Sequence, residues 1–205
     1  MSGCCDGGCS LNALQEEQQR QTLKVVLSIN AIMFIVIAGA AIYGGSTALL
    51  ANGFDNFGDA LTYALSLYAV SRGASTKAKV ALFKGVLILL AALIVTGQII
   101  YKLYVPSLPI FEAMGIFGML SLIANSICLY LLWRHRHEDI NMSSVWECSR
   151  NDIASDISVI VAASGVWLLD SGWPDIIVAL ALVILLYRSA FRVISSAKAE
   201  LSNST

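Results

Sequence analysis

Residues 46–70 read STALLANGFDNFGDALTYALSLYAV, and the reading of this stretch decides the fold. Its length and apolar bulk are those of a lipid-spanning helix, yet it holds Asp55 and Asp59 one helical turn apart. Residues 141–167, NMSSVWECSRNDIASDISVIVAASGVW, repeat the arrangement with Asp152 and Asp156. An ionised carboxylate at mid-bilayer costs roughly 2.5 to 3.5 kcal/mol on insertion scales, so four of them are tolerated only where they face one another, water or a cation. The pattern is that of a chain built to carry a positive ion through lipid.

Composition agrees. With 57% hydrophobic and 13% charged residues and a mean hydropathy of +0.73 over 205 residues, the chain lacks the polar surface of a soluble globule. Apolar segments at about 25–44, 46–70, 80–103, 111–133, 144–169 and 173–191 each approach the ~20 residues needed to cross the hydrocarbon core. The expected fold is all-α: a polytopic membrane protein of six transmembrane helices with both termini cytoplasmic. The sixth segment has a short uninterrupted core, Ile176 to Tyr187, extended by the flanking Trp173 and Phe191. Three regions follow, a polar amino-terminal tail over 1–23, a transport domain over 24–195 and a short tail over 196–205. No cleavable signal is expected, since the first 23 residues are polar and the apolar stretch after them is long enough to remain as a span.

Basic residues set the orientation. Of the 13 Lys and Arg residues, only Lys102 falls on the outer side if both termini are cytoplasmic; Arg20, Lys24, Arg72, Lys77, Lys79, Lys84, Arg134, Arg136, Arg150, Arg188, Arg192 and Lys198 fall inside. That asymmetry, and not the net charge of -1, carries the signal. Gly44-Gly45-Ser46 is expected to form a tight outer turn, with further outer turns at 105–109 and 170–174. The longest polar connector is the inner stretch RHRHEDINM, residues 134–142.

In the second span Asn52, Asp55, Asp59, Thr62 and Ser66 recur at steps of three and four, a polar stripe opposite Leu50, Phe54, Phe57, Leu61 and Leu65. The fifth span repeats this with Ser144, Cys148, Asn151 or Asp152, and Ser155, and two polar stripes in lipid should face each other. Depth agrees, because Asp59 lies about 13 residues from the outer start of its helix and Asp152 about 9 from the inner start of its own, which at 1.5 Å per residue places both near mid-bilayer. Three carboxylates and a thiolate, Asp55, Asp59, Asp152 and Cys148, suit a tetrahedral, borderline-soft dication such as Zn²⁺ or Cd²⁺, whereas four oxygens would lean toward Mn²⁺ or Fe²⁺. Asp156 is open between a fifth ligand, a proton carrier and an acid behind the ligands. Clustered acids repel, so part of the set should hold protons that a dication expels, which links metal binding to proton release.

On these residues the chain resembles the cation diffusion facilitator family, metal–proton antiporters of six spans. STALLANGFDNFGDALTYALSLYAV is similar to that family's second helix, whose acidic pair falls on Asp55 and Asp59, and residues 141–167 are similar to its fifth, whose His-x-x-x-Asp pair falls on Cys148 and Asp152. GWPDIIVALALVILLYRSAFRV, residues 172–193, resembles the sixth. The resemblance covers about residues 24–195. It implies efflux of a divalent transition metal, most simply Zn²⁺ or Cd²⁺, with H⁺ as counter-ion. It also implies alternating access around a mid-membrane site, a homodimer with one pathway per protomer, and residence in a bacterial inner membrane. The metal is cargo and no cofactor is implied. Two departures stand out: Cys148 replaces the family's His and softens the site, and the usual cytoplasmic domain after helix six is missing, as in short bacterial members.

Cys4, Cys5 and Cys9, with Asp6, form a candidate metal collector in a reducing cytosol or else an incidental tail. His135 and His137 either feed metal inward or belong to a solvated end of helix four with Arg134 and Arg136. Asn30, Gln98 and Asn125 are expected to bond between helices, and Gly85, Gly97, Gly115 and Gly118 to mark close helix contacts or a dimer face. No nucleophile set, Walker loop or basic groove is present, so the chain is read as neither an enzyme nor a nucleic-acid binder. The alternatives are a membrane metal sensor or scaffold without transport, a proton-coupled carrier of small organic cations, and an Fe, Mn or Co-preferring transporter of the same family.

Overall fold

The computed structural model describes residues 6–69, 74–136 and 140–203. Among these the chain forms six helices and no strand: α1 (Asp6–Gly44), α2 (Thr47–Ala69), α3 (Ala74–Tyr104), α4 (Phe111–Trp133), α5 (Ile140–Leu169) and α6 (Trp173–Asn203). The chain is an all-α polytopic membrane protein. Five helices hold stretches long and apolar enough to cross a bilayer, Glu17–Gly44, Lys79–Tyr104, Phe111–Trp133, Cys148–Leu169 and Trp173–Ser202. The odd one is α2, whose 23 residues would span about 34 Å but whose Asn52, Asp55, Asn56 and Asp59 break the apolar run.

Packing explains how lipid tolerates α2. The helices pair as α1 with α2, α3 with α6 and α4 with α5, and among the described residues α2 alone contacts all five others. Its polar face therefore meets protein. Large apolar side chains turn outward on the surrounding helices, among them Ile35 and Ile42 of α1, Ile94 of α3, Ile116 of α4, Val161 of α5 and Ile177 of α6. Inside, the interfaces are built from small residues such as Ala48, Ala51, Ala92, Ala179 and Ala190, with Leu49, Val95, Leu182 and Leu186 between them. Such residues let backbones approach where the hydrophobic effect offers no drive between helices.

Two helices run further than their apolar cores. α1 continues back to Asp6 through ALQEEQQRQ, all good helix formers, and α6 continues to Asn203. The turn between α1 and α2 is tight: Gly45 takes φ +59, the left-handed region open to glycine, and Ser46 N–H bonds Ala41 O at 3.0 Å. Ile110 N–H reaches Gly44 O at 2.8 Å and ties the start of α4 to this turn.

Gly85 marks a close approach of α3 to α6, since a Cβ there would sit 2.6 Å from Ile194 Cγ1. Gly118 likewise lies against Val159 and Ile160 of α5, whereas Gly97 and Gly115 have nothing within 4 Å of such an atom. Gly85→Val is therefore expected to wedge α3 from α6 and lower stability by about 1–3 kcal/mol, while Gly97→Val changes little. Thermal unfolding of the two detergent-solubilised variants checks this; equal melting points would contradict the close α3–α6 seam.

Candidate metal centre

The two predicted stripes do face each other. On α2, Asn52, Asn56, Asp59 and Ser66 are buried and Asp55 is half-buried. On α5, Asp152, Ser155 and Asp156 are buried and Cys148 is a half-buried free thiol. Asn151 is exposed, so Asp152 completes the stripe, and the side chain of Ser144 lies outside the described residues. Asp59 of α2 and Asp152 of α5 are buried near each other, and Asp55 lies near Ser155. Asp55, Asp59 and Cys148 lie within one another's electrostatic range.

Asp156 stands apart from this pairing. It is fully buried, and its two oxygens accept from the amides of Asn52 on α2 and Asn125 on α4, both at 2.8 Å. Ser121 Oγ donates to Asn52 Oδ1 at 3.2 Å, so one polar net ties α2, α4 and α5. Asn125 thus forms the interhelical bond expected of it. Asn30 turns its amide mainly to its own helix, bonding Val26 O at 3.0 Å, with a longer contact of 3.6 Å to Cys128 Sγ on α4.

Among the described residues no three His, Cys, Asp or Glu side chains already converge on a point that would hold a metal ion. The carboxylates are turned instead to the partners just named. Asn56 Oδ1 on α2, Tyr63 OH on α2 and Ser149 Oγ on α5 are buried without a hydrogen-bond partner. Tyr63 faces Asp59, Asp152, Cys128 and Cys148. Polar atoms left unpaired beside acids are the mark of a place that water or a cation completes.

Two lysines depart from the expected arrangement. Lys84 was counted among the inner, orienting charges, but its side chain is buried; Nζ donates to Thr62 Oγ1 and its charge faces Asp59 and Cys148. Lys102, the single basic residue expected outside, is also buried, paired with Asp175 at 3.0 Å. Neither lysine works as a simple interface charge. His135 is buried too, its Nε2 3.3 Å from Thr22 Oγ1 of α1, and so is not at a solvated end of helix four. It lines a cavity of about 500 Å³ with Gln18, Gln21, Tyr130, Trp133 and Arg134 at the end of the bundle opposite the α1–α2 turn. His137, Cys4 and Cys5 lie outside the described residues, as does the side chain of Cys9.

A facing pair of acid-bearing helices, one in contact with all five other described helices, is the arrangement an ion carrier needs. No curated protein matches the chain. The family model described as the cation efflux transmembrane domain matches residues 23–202. The chain belongs to the cation efflux, or cation diffusion facilitator, family, and is a cation efflux transporter of the membrane.

Proposed function

We propose that the transported ion is a divalent transition metal, Zn²⁺ or Cd²⁺, moved in exchange for protons through the space between α2 and α5, with Asp55, Asp59, Cys148 and Asp152 as its ligands. The observation that carries this reading is the burial of Asp59 on α2 and Asp152 on α5 near each other, with the unpartnered Tyr63 OH facing both. Two buried acids placed close together do not both stay ionised without a counter-charge, so the pair holds a proton. A dication seated between them displaces that proton and supplies the positive charge both groups lack, so binding metal and releasing H⁺ become one event.

To bind, the four side chains turn toward the ion and the Cys148 thiol loses its proton. Membership in an efflux family speaks for transport over a sensor or scaffold. Cys148 supports the softer end of the metal series, because thiolate favours Cd²⁺ and Zn²⁺ over ions that prefer an all-oxygen shell. Asp156 is a frame for the site: both its oxygens are already engaged by Asn52 and Asn125. In the same reading the protein is a carrier without enzymatic chemistry, works as a homodimer in a bacterial inner membrane, and uses Cys4, Cys5 and Cys9 to raise the local metal concentration.

The test is Zn²⁺ and Cd²⁺ flux into proteoliposomes under an imposed pH gradient. Asp59→Asn and Asp152→Asn are expected to lower flux by about a hundredfold or more while the protein stays folded, because each removes a ligand and a buried charge together. Near-normal flux in either overturns the site. Wild-type flux should release protons and slow as the metal-accepting side is acidified.

Asp156→Asn is expected to lose less than about tenfold. The new amide keeps one acceptor, and Asn125 can turn its own amide to supply the other. A loss as deep as that of Asp59→Asn would make Asp156 a ligand or proton carrier. Cys148→His should keep Zn²⁺ flux and weaken Cd²⁺ relative to it, and Cys148→Ser should lose most of both. An unchanged Cd²⁺ to Zn²⁺ ratio in both variants removes Cys148 from the ligand set.

A further inference from the structure

The first turn of α2 is held by a residue from the far end of the chain. A helix begins with N–H groups that have no partner of their own. In α2 each has one: Thr47 N–H donates to Asp175 Oδ2 at 2.9 Å, Ala48 N–H to Asp175 Oδ1 at 3.0 Å, Leu49 N–H to Ser46 Oγ at 3.0 Å and Leu50 N–H to Ser46 O at 3.2 Å. Ser46 Oγ in turn donates to Asp175 Oδ1 at 2.6 Å. A capping side chain usually comes from the residue just before the helix. Here Ser46 provides half of the cap and Asp175, in the first turn of α6, the other half.

The charge of Asp175 is balanced by the same logic. Lys102, in the last turn of α3, donates from Nζ to Asp175 Oδ2 at 3.0 Å and to Gly45 O, and the two side chains are 3% and 0% exposed. The acid therefore lies at the positive ends of two helices, α2 and α6, and the base at the negative end of α3, so both charges complement the helix dipoles. One buried pair joins α2, α3, α6 and the α1–α2 turn.

We infer that Asp175, with Lys102 as its counter-ion, is a positioning residue for cation transport: it fixes the start of α2 against α3 and α6, and through it the depth and rotation of Asp55 and Asp59. Those acids follow Thr47 by 8 and 12 residues, about 12 and 18 Å along a rigid helix. Among the described residues no other buried ion pair holds α2 at this end. The inference rests on the reading of Asp55 and Asp59 as ligands.

Removing one partner alone would strand a buried charge, so paired substitutions give the clean test. Lys102→Met with Asp175→Asn removes both charges and leaves one capping acceptor. Lys102→Met with Asp175→Leu removes the acceptor as well. Each is purified, checked for thermal unfolding, followed by hydrogen exchange over residues 47–59, and reconstituted for Zn²⁺ flux. The Leu pair is expected to exchange faster over the first turns of α2 and to raise KM for Zn²⁺ about tenfold with Vmax within about twofold, whereas the Asn pair keeps KM within about twofold.

Wild-type KM in a folded Leu pair overturns the inference, as does an Asn pair as impaired as the Leu pair, which would assign the effect to the charges and not to the cap. Asp175→Glu with Lys102 intact covers failure of the Leu pair to fold: it keeps both charges but displaces the carboxylate from Thr47 and Ala48, and an unchanged KM there is equally fatal. Asp59→Asn run alongside separates the two levels. Flux that survives Asp59→Asn overturns the reading of the site and this inference with it, while an unchanged KM in the Leu pair beside a dead Asp59→Asn overturns the inference alone.

Discussion

The structure depends on one constraint: the polar face of α2 can be satisfied only by other parts of the same protein. Lipid offers no hydrogen bonds, so each buried amide, hydroxyl and carboxylate on Asn52, Asn56, Asp59 and Ser66 must find a partner inside the bundle or be completed by water or cargo. The answer is positional. α2 occupies the centre, in contact with all five other described helices, and the apolar surface that an isolated span would present to lipid is supplied by its neighbours. A helix too polar to cross a membrane by itself crosses within a jacket.

The carboxylates at the centre divide into two kinds of site. Asp156 is saturated, with two asparagine amides on its two oxygens and a serine behind one of the asparagines. Such a net is rigid, because each donor and acceptor is already matched. Among the described residues Asp59 and Asp152 accept from no such amide, and Tyr63 OH, which faces both, lacks a partner. A saturated acid costs more to rearrange than an unsaturated one. The saturated net ties α2, α4 and α5 together. Lys84, whose Nζ donates to Thr62 Oγ1, faces Asp59 and Cys148 from α3.

Much of this was legible in the sequence. The three-and-four spacing of polar residues in 46–70 and 141–167 located the facing stripes, and the apolar lengths gave six helices whose bounds match those observed closely at the ends facing the short connectors. Asn56 was missed because it falls between the two acids, yet its amide bonds back to Asn52 O at 3.0 Å within α2. Lys84 and Lys102 were read as interface charges because a lysine near the end of an apolar run ordinarily snorkels to water. Nothing in the local sequence distinguishes a lysine that snorkels from one that turns inward. Asp175 was invisible for a related reason. Its partners Lys102 and Thr47 lie 73 and 128 residues away, and only the packing of α3 and α6 around the start of α2 brings them together.

The sequence signal that could have found Asp175 is the sheer cost of the position. Residues 172–175, GWPD, place an acid immediately after a proline that starts a helix, where an exposed acid would be an ordinary first-turn residue. What separates the two cases is the single basic residue expected on that side, Lys102, at the end of α3. A lone base and an acid that share one end of a membrane bundle are each expensive to bury alone and less so together. The lysine that looked like an exception to the charge asymmetry is thus explained by pairing, and the asymmetry itself rests on the arginines and the remaining lysines. The same pairing gives α2 a fixed end: its first turn is held by bonds from α6 and the α1–α2 turn, 8 and 12 residues before Asp55 and Asp59, so the helix that presents these acids is anchored away from them.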